Sequence, residues 1–345
     1  PPWLPTMRDT LLSKLLPVTF VAVAGFGTWR SLEAAAPAAP SPALQQARIV
    51  DVAKKQPPVQ NGQMPPTGWW IDGTDCDNEP QIQVWKYNQD TYLLRQSKCD
   101  TFEAPFMYLL FGEDRALLMD TGAYAPSPVR FEVNKIVRDW LQAKGRTEIP
   151  LVVAHTHHHF DHVQSDNQFP SLSYLETLVA PNGIALKSYW GFSDYPNDEG
   201  LTYDLGGRVL DVLGTPGHHP DTVTLYDRNT QLLFTNDIVY PGHLFVFSGA
   251  AWFDFITSIQ RLVDFAAENP VKWLVGCHIE TSTTPGVPYA YTTLEQPNEV
   301  ALQLKPSMLV DVLSASLGMM GDPQCTIFDY FVIHPVYLCG ITWNG

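Results

Sequence analysis

The decapeptide AHTHHHFDHV (Ala154–Val163) holds five of the chain's ten histidines within eight residues. It follows directly on the apolar run IPLVV (149–153), which reads as a buried strand. If extended backbone continues into it, His157 and His159 alternate by two and face the same way, so they can share one cation. Asp161 and His162 come next and offer a hard oxygen and another imidazole to a second ion. Neutral imidazole with carboxylate suits zinc, and also manganese or iron. The competing reading is a loose surface patch that binds metal adventitiously, and the flanking sequence decides between the two.

Upstream, SPVRFEVNKIVRDWLQAKG (127–145) has Ser127 as N-cap, Pro128 in the first helical position and Gly145 as the stop. Val133, Ile136, Val137, Trp140 and Leu141 fall on one face, so this helix covers a sheet. Before it, QIQVWKYNQDTYLLRQ (81–96) alternates as strands, and PFMYLLFGEDRALLMDTGA (105–123) reads as a hairpin. Downstream, RVLDVLGTPGHH (208–219) and TVTLYDRNTQLLFTND (222–237) predict strands, the latter a pair with its turn at Asp227-Arg228-Asn229. A helix carrying Phe255, Ile259, Leu262 and Ala266 ends at Pro270, and VKWLVGCHIE (271–280) is a further buried strand. After a Pro/Thr-rich stretch come a helix from Ser307 to Met319 and a last strand, IFDYFVIHPVYL (327–338). Strand, helix, strand, with polar residues at strand C-termini, is an α/β signature.

Composition bounds the rest. With 45% hydrophobic and 17% charged residues, the chain is globular. A net charge of -15 argues against a nucleic-acid partner, because little would replace the counterions of a phosphate backbone. From Met7, Arg8 and Lys14 precede an apolar run to about Trp29, and SLEAAAPAAPSPA (31–43) is rich in small residues. Residues 1–36 therefore read as an export signal with its cleavage region, which leaves no stable membrane span after cleavage. A single membrane anchor is the alternative, although Pro17 and the short length count against it. The six residues before Met7 read as upstream sequence. Residues 37–80 form a Pro/Ala-rich arm. Two local disulfides, Cys76 with Cys99 and Cys325 with Cys339, plus a buried Cys277, would suit a periplasmic or secreted protein. Five reduced thiols are the other reading.

Four further residues stand at or just beyond the end of an apolar strand: Asp120 in LLMDTG, His218 in GTPGHHPDTVTL, Asp237 in LLFTNDIVY and His278 in WLVGCHIE. With H-x-H-x-D-H at 157–162, these elements appear in the order found in the metallo-β-lactamase superfamily, which the sequence resembles from about Gln81 to Glu280. The resemblance implies a four-layer αββα sandwich over residues 81–285, with 286–345 as an extension packed on it. It also implies two divalent metal ions. His157, His159 and His218 would hold one, Asp161, His162 and His278 the other, and Asp237 would bridge them. Asp120 would order the ligand loop without binding metal. A hydroxide between the two ions would attack the substrate, oriented by Asp161.

Neighbouring residues take plainer roles. His155 takes a core or hydrogen-bonding role, and His158 faces away. His218 is preferred to His219 by its position in the motif, and Cys277 is a packed thiol. Because the bridging Asp237 is present, the resemblance favours the arms of the superfamily that contain glyoxalase II, lactonases, alkylsulfatases and phosphodiesterases. Tyr240, three residues after Asp237, either donates to a developing oxyanion or packs under the rim. Tyr189, Trp190, Phe192 and Tyr195 either wall the substrate pocket or bury against the arm or a second copy of the chain, as in a homodimer. Glyoxalase II itself fits poorly, since basic residues that would hold a glutathione carboxylate are missing near the C-terminus. The expectation is an exported dinuclear hydrolase of a small-molecule ester or lactone. A phosphoesterase or β-lactamase on the same scaffold is the alternative. A non-hydrolytic metal-binding or redox protein is the more distant one.

Overall fold

The computed structural model describes residues 60–339, all within one compact unit. The expected export signal, residues 1–36, and the first part of the arm lie outside the described residues. Among the described residues, no helix is long and apolar enough to cross a membrane.

Two six-stranded sheets face one another. The first runs in the order β1 (Ile82–Asn88), β2 (Thr91–Gln96), β3 (Phe106–Phe111), β4 (Ala116–Met119), β5 (Leu151–Ala154) and β6 (Leu175–Leu178). Its first four strands are antiparallel neighbours, whereas β4, β5 and β6 run parallel. The second contains β7 (Thr202–Asp204), β8 (Val209–Gly214), β9 (Val223–Asp227), β10 (Leu232–Asn236), β12 (Trp273–Gly276) and β13 (Gln303–Leu304), in the order β13-β12-β10-β9-β8-β7. Strand period two sorts the side chains between layers. In β3, Phe106, Tyr108 and Leu110 enter the core between the sheets, together with Leu225 and Phe234 from the opposite sheet. Met107, Leu109 and Phe111 face the other way, onto Val133, Val137 and Trp140 of α1 (Val129–Lys144). Across the molecule, Leu233 and Leu274 face α4 (Gly249–Glu268) and α5 (Ser307–Gly318). The order is helix, sheet, sheet, helix, which is the expected αββα sandwich.

The topology gathers strand C-termini on one rim. Strands β4 and β5 are parallel, and so are β10 and β12. Because β9 is antiparallel to both β8 and β10, β8 also ends on that side. At the opposite end Arg208 ties the two sheets together. Its guanidinium donates to Asp227 Oδ2 at 2.6 Å and Thr91 Oγ1 at 2.8 Å, and to the carbonyls of Asp90 and Phe111.

Several sequence-based expectations need correction. The helix expected from a Ser127 cap begins at Val129 with Pro128 as N-cap, while Gly145 ends it in the left-handed region at φ 64°. The arm expected through residue 80 is built into the fold in its described part, because the indoles of Trp69 and Trp70 are packed. Trp70 lies edge-on to Phe106 at 4.8 Å. The last strand is a hairpin of β14 (Thr326–Ile327) and β15 (Val332–Pro335) followed by a helical turn, α6 (Val336–Cys339). Strand β15 pairs in parallel with β11 (His243–Val246) in a small third sheet. The two disulfides, Cys76–Cys99 and Cys325–Cys339, close as expected with Cα separations of 5.5 and 5.9 Å, and Cys277 is free and buried.

Arg208 and Asp227 are both buried, so removing one partner strands a charge. Arg208→Met should cost roughly 3–5 kcal/mol in urea unfolding. The metal-binding capacity of the folded protein should be unaffected, because the pair lies at the far end of the sheets.

Candidate metal centre

Each site residue sits where a strand of the rim runs out. Asp120 follows β4 with a positive φ of 67°, a backbone conformation rare outside glycine. Its carboxylate holds the next loop: Oδ1 accepts the Thr156 amide at 2.8 Å, and Oδ2 accepts the Thr156 hydroxyl at 2.8 Å. The histidine loop follows β5 and turns into α2 (Phe160–Val163). His218 and His219 lie on the turn after β8, where Gly217 has a φ of 141° and a Cβ would meet the Phe255 Cα at 2.5 Å. Only glycine fits there, because α4 crosses directly behind the turn.

These loops bring together all seven residues expected as ligands. His157, His159 and His218 form one group, and Asp161, His162, Asp237 and His278 form another, with the donor atoms of each group within 4.8 Å of one another. Outward hydrogen bonds fix the imidazoles. His162 Nδ1 lies 2.9 Å from Asp120 Oδ2, His278 Nδ1 lies 2.9 Å from the Glu103 carbonyl, and His218 Nδ1 lies 3.2 Å from the Phe245 carbonyl. A ring that donates through Nδ1 presents the lone pair of Nε2 to the interior.

A divalent cation fits this donor set. His159 Nδ1 is 3.0 Å from His157 Nε2 and 2.9 Å from His218 Nε2, so three ring nitrogens converge. Asp237 Oδ1 is buried with no hydrogen-bond partner among the described residues, an acceptor that a cation would satisfy. Burial pulls His157, His159 and His218 below the ordinary imidazole range, His159 to about 3, which keeps them neutral as ligands must be. Burial also opposes charge on His162 and His278. There the carboxylates of Asp161 and Asp237 outweigh it and raise both histidines. The same pairs hold the two aspartates below the usual carboxylate range against the effect of burial.

The neighbours fall out largely as expected. His155 is fully buried, with Nε2 3.2 Å from Asp166 Oδ2. His158 and His219 stand outside the ligand groups, and their Nδ1 atoms take one oxygen each of the buried Asp221. That carboxylate joins the two ligand loops, a connection that sequence reading missed although HHPD places Asp221 two residues after His219. Cys277 Sγ is 4.0 Å from Asp120 Oδ2, and burial pushes its thiol up to about 12.

The substrate-contact expectations are where the structure differs. A cavity of about 340 Å³ over the site is lined by Phe160, Tyr240, Phe245, Phe247, Tyr291 and Glu103 besides metal-site residues. Tyr189, Trp190, Phe192 and Tyr195 do not line it. They pack against the core between the sheets, where Tyr189 bonds the Tyr203 hydroxyl at 2.5 Å and Tyr195 donates to the Thr222 carbonyl at 2.7 Å. The Tyr240 ring reaches the cavity, but its hydroxyl bonds the His243 carbonyl and lies 3.1 Å from Glu280 Oε2. Burial and then Glu280 push this phenol well above its usual range, so it stays protonated, with its proton engaged away from the cavity. Packing under the rim describes Tyr240 better than donation to an oxyanion.

Orienting residues should show in metal affinity. Asp120→Asn is expected to weaken binding by the group containing His162, and Asp221→Ala by the three-histidine group, each roughly 10–100-fold. Competition with a chromophoric chelator measures this, and unchanged affinity in either variant would remove that residue's role.

The family described as the metallo-beta-lactamase superfamily matches residues 100–278. Acyl-coenzyme A thioesterase MBLAC2 of Bos taurus is 24% identical over 204 residues, which is 51% of this chain and 73% of that protein. A hydroxyacylglutathione hydrolase of Xylella fastidiosa (strain M23) is 24% identical over 212 residues, 61% and 72% of the two chains. A metallo-beta-lactamase from Pontibacter korlensis aligns at 19% identity and a TM-score of 0.45, covering 69% of this chain and 99% of its own. The family match runs across more than half of the chain and includes Asp120 and all seven residues of the two donor groups, so the protein belongs to the metallo-beta-lactamase superfamily.

Proposed function

We propose that the protein is an exported dinuclear metal-dependent hydrolase of an acyl bond: an ester, a lactone or a thioester. The observation that carries this reading is the pairing of two adjacent donor groups with an aromatic-lined cavity that contains no lysine or arginine among its described lining residues. Divalent ions bound there, zinc foremost, would polarise a carbonyl and make water nucleophilic near neutral pH. The chain's own contribution is to bind, orient and accept a proton. Asp161 lines the cavity, where its carboxylate can orient an attacking water and accept its proton. Phe245 and Phe247 offer an apolar wall that binds an acyl chain and excludes bulk water.

The relatives, an acyl-coenzyme A thioesterase and a hydroxyacylglutathione hydrolase, are hydrolases of acyl conjugates and so support this reaction class. Phosphoester hydrolysis is the second reading, and the missing basic side chain counts against it, because phosphate sites commonly use Arg or Lys. Export is supported by the two disulfides, which suit an oxidising compartment.

Zinc-loaded protein should hydrolyse an acyl homoserine lactone or a short acyl thioester with release of acid. Chelation should abolish turnover and zinc should restore it. Asp161→Ala is expected to lower kcat by about 10²–10⁴. Turnover of bis(4-nitrophenyl) phosphate, with esters, lactones and thioesters all inert, would replace this reading by the phosphoesterase one.

A further inference from the structure

Three potential metal donors outside the main centre meet on the C-terminal hairpin. Donor atoms of Cys325, His334 and Cys339 lie within 4.8 Å of one another, and none of the three residues belongs to the seven described above. The local fold brings them together. Strand β14 pairs antiparallel with β15, Thr326 opposite Ile333 and Ile327 opposite Val332, so Cys325 falls opposite His334 one step further on. The helical turn α6 follows β15 directly and ends at Cys339. Cys325 is exposed and Cys339 half-buried, whereas His334 is only 8% exposed.

The hydrogen bonds of His334 leave one ring nitrogen over. Its Nδ1 lies 3.3 Å from His243 Nδ1, and His243 Nε2 lies 2.9 Å from the Tyr289 carbonyl. A carbonyl only accepts, so His243 donates there through Nε2. In the neutral pair its Nδ1 then accepts the proton of His334 Nδ1. Burial, and then His243 beside it, lowers His334 to about 4, which keeps that ring neutral. Its lone pair is therefore on Nε2, a buried atom with no hydrogen-bond partner among the described residues. An outward Nδ1–H bond with a free Nε2 is how a metal-binding imidazole is held. The other disulfide has no such neighbour. Glu79, beside Cys76 and Cys99, already accepts the Gly73 and Asp75 amides.

We propose that Cys325, His334 and Cys339 form a redox-gated metal site: when the disulfide is open, the two thiolates and His334 Nε2 bind one thiophilic ion, zinc foremost. A dithiol donor opens the disulfide by exchange. It gives up two electrons and two protons and becomes a disulfide itself, the Cys325–Cys339 bond breaks, and two thiols form. Binding a divalent ion then releases both protons. The disulfide prevails in an oxidising compartment, and the metal wherever dithiol donors are in excess. Either crosslink closes the hairpin whose β15 supports β11, so the Phe245 wall of the cavity keeps its backing in both conditions.

The test loads the main centre with zinc in the disulfide form, reduces the protein with tris(2-carboxyethyl)phosphine, removes the phosphine anaerobically and titrates with cobalt(II). Cobalt held by thiolates absorbs by charge transfer, which the seven donor residues of the main centre cannot produce, since none is a cysteine. One equivalent of cobalt should develop this band in the reduced protein and none in the disulfide form. The band should vanish in Cys325→Ser/Cys339→Ser and persist in Cys76→Ser/Cys99→Ser. His334→Gln should weaken cobalt binding by roughly 10-fold or more, because losing merely the outward partner of a ligand already costs that much. Should that variant fail to fold, cobalt K-edge absorption of the unaltered reduced protein answers the same question, and it should show nitrogen beside sulfur. No band in the reduced protein overturns the proposal. A band that survives Cys325→Ser/Cys339→Ser does so too, because the thiolates then lie elsewhere. Unchanged affinity in folded His334→Gln, or coordination by sulfur without nitrogen, removes His334 and with it the three-donor site.

Discussion

The carboxylate of Asp237 lies within 3.7 Å of ring nitrogens from four histidines: His157, His162, His218 and His278. Packing that many lone pairs and charges into a buried volume is unfavourable unless a cation is shared among them. The surrounding fold is arranged to hold them there. The histidine loop comes from one sheet, while His218, Asp237 and His278 come from three strands of the other. Neither sheet alone could assemble the cluster, so closing the sandwich and forming the metal centre are coupled. Asp120, Gly217 and Asp221 are best understood as what that closure requires, since each fixes a ligand loop against its neighbour.

The residues that meet at the donor groups were legible in the sequence from local pattern together with the family resemblance, which grouped them. Asp161 and His162 follow His159 within one turn, and Asp120, His218, Asp237 and His278 each close or directly follow a run of buried apolar residues, whereas His157 and His159 lie on a loop beyond β5 and meet without the strand continuing into them. The sandwich was legible for a similar reason. The alternation in FMYLLF and VTLYD assigns each side chain to one of two layers, and the apolar stripe of α1 supplies the outer one.

The cavity wall was not legible, and the reason is physical. An aromatic residue near a motif looks the same in sequence whether it faces substrate or core. Tyr189, Trp190 and Tyr195 satisfy their polar atoms with backbone carbonyls or Tyr203, which commits them to packing. The residues that do line the cavity come from segments far apart in the chain: Glu103 before β3, Phe245 and Phe247 on and after β11, and Tyr291 in the segment beyond β12. No spacing rule connects these positions. Similarly, Trp69 and Trp70 lie in a stretch whose overall composition suggested an arm, but two indoles bury enough apolar surface to bind it to the core.

The small third sheet has a consequence of another kind. Strand β11 carries Phe245 and takes its position from β15, which the C-terminal segment supplies and Cys325–Cys339 closes. None of the seven donor residues lies on that sheet. Part of the cavity wall therefore rests on a sheet that carries no donor residue and meets the donor groups where the Phe245 carbonyl accepts His218 Nδ1. The C-terminal hairpin could diverge, lengthen or be exchanged, and thereby reshape what the cavity admits, while the donor groups stayed as they are. A lineage with this architecture could change its substrates faster than its chemistry.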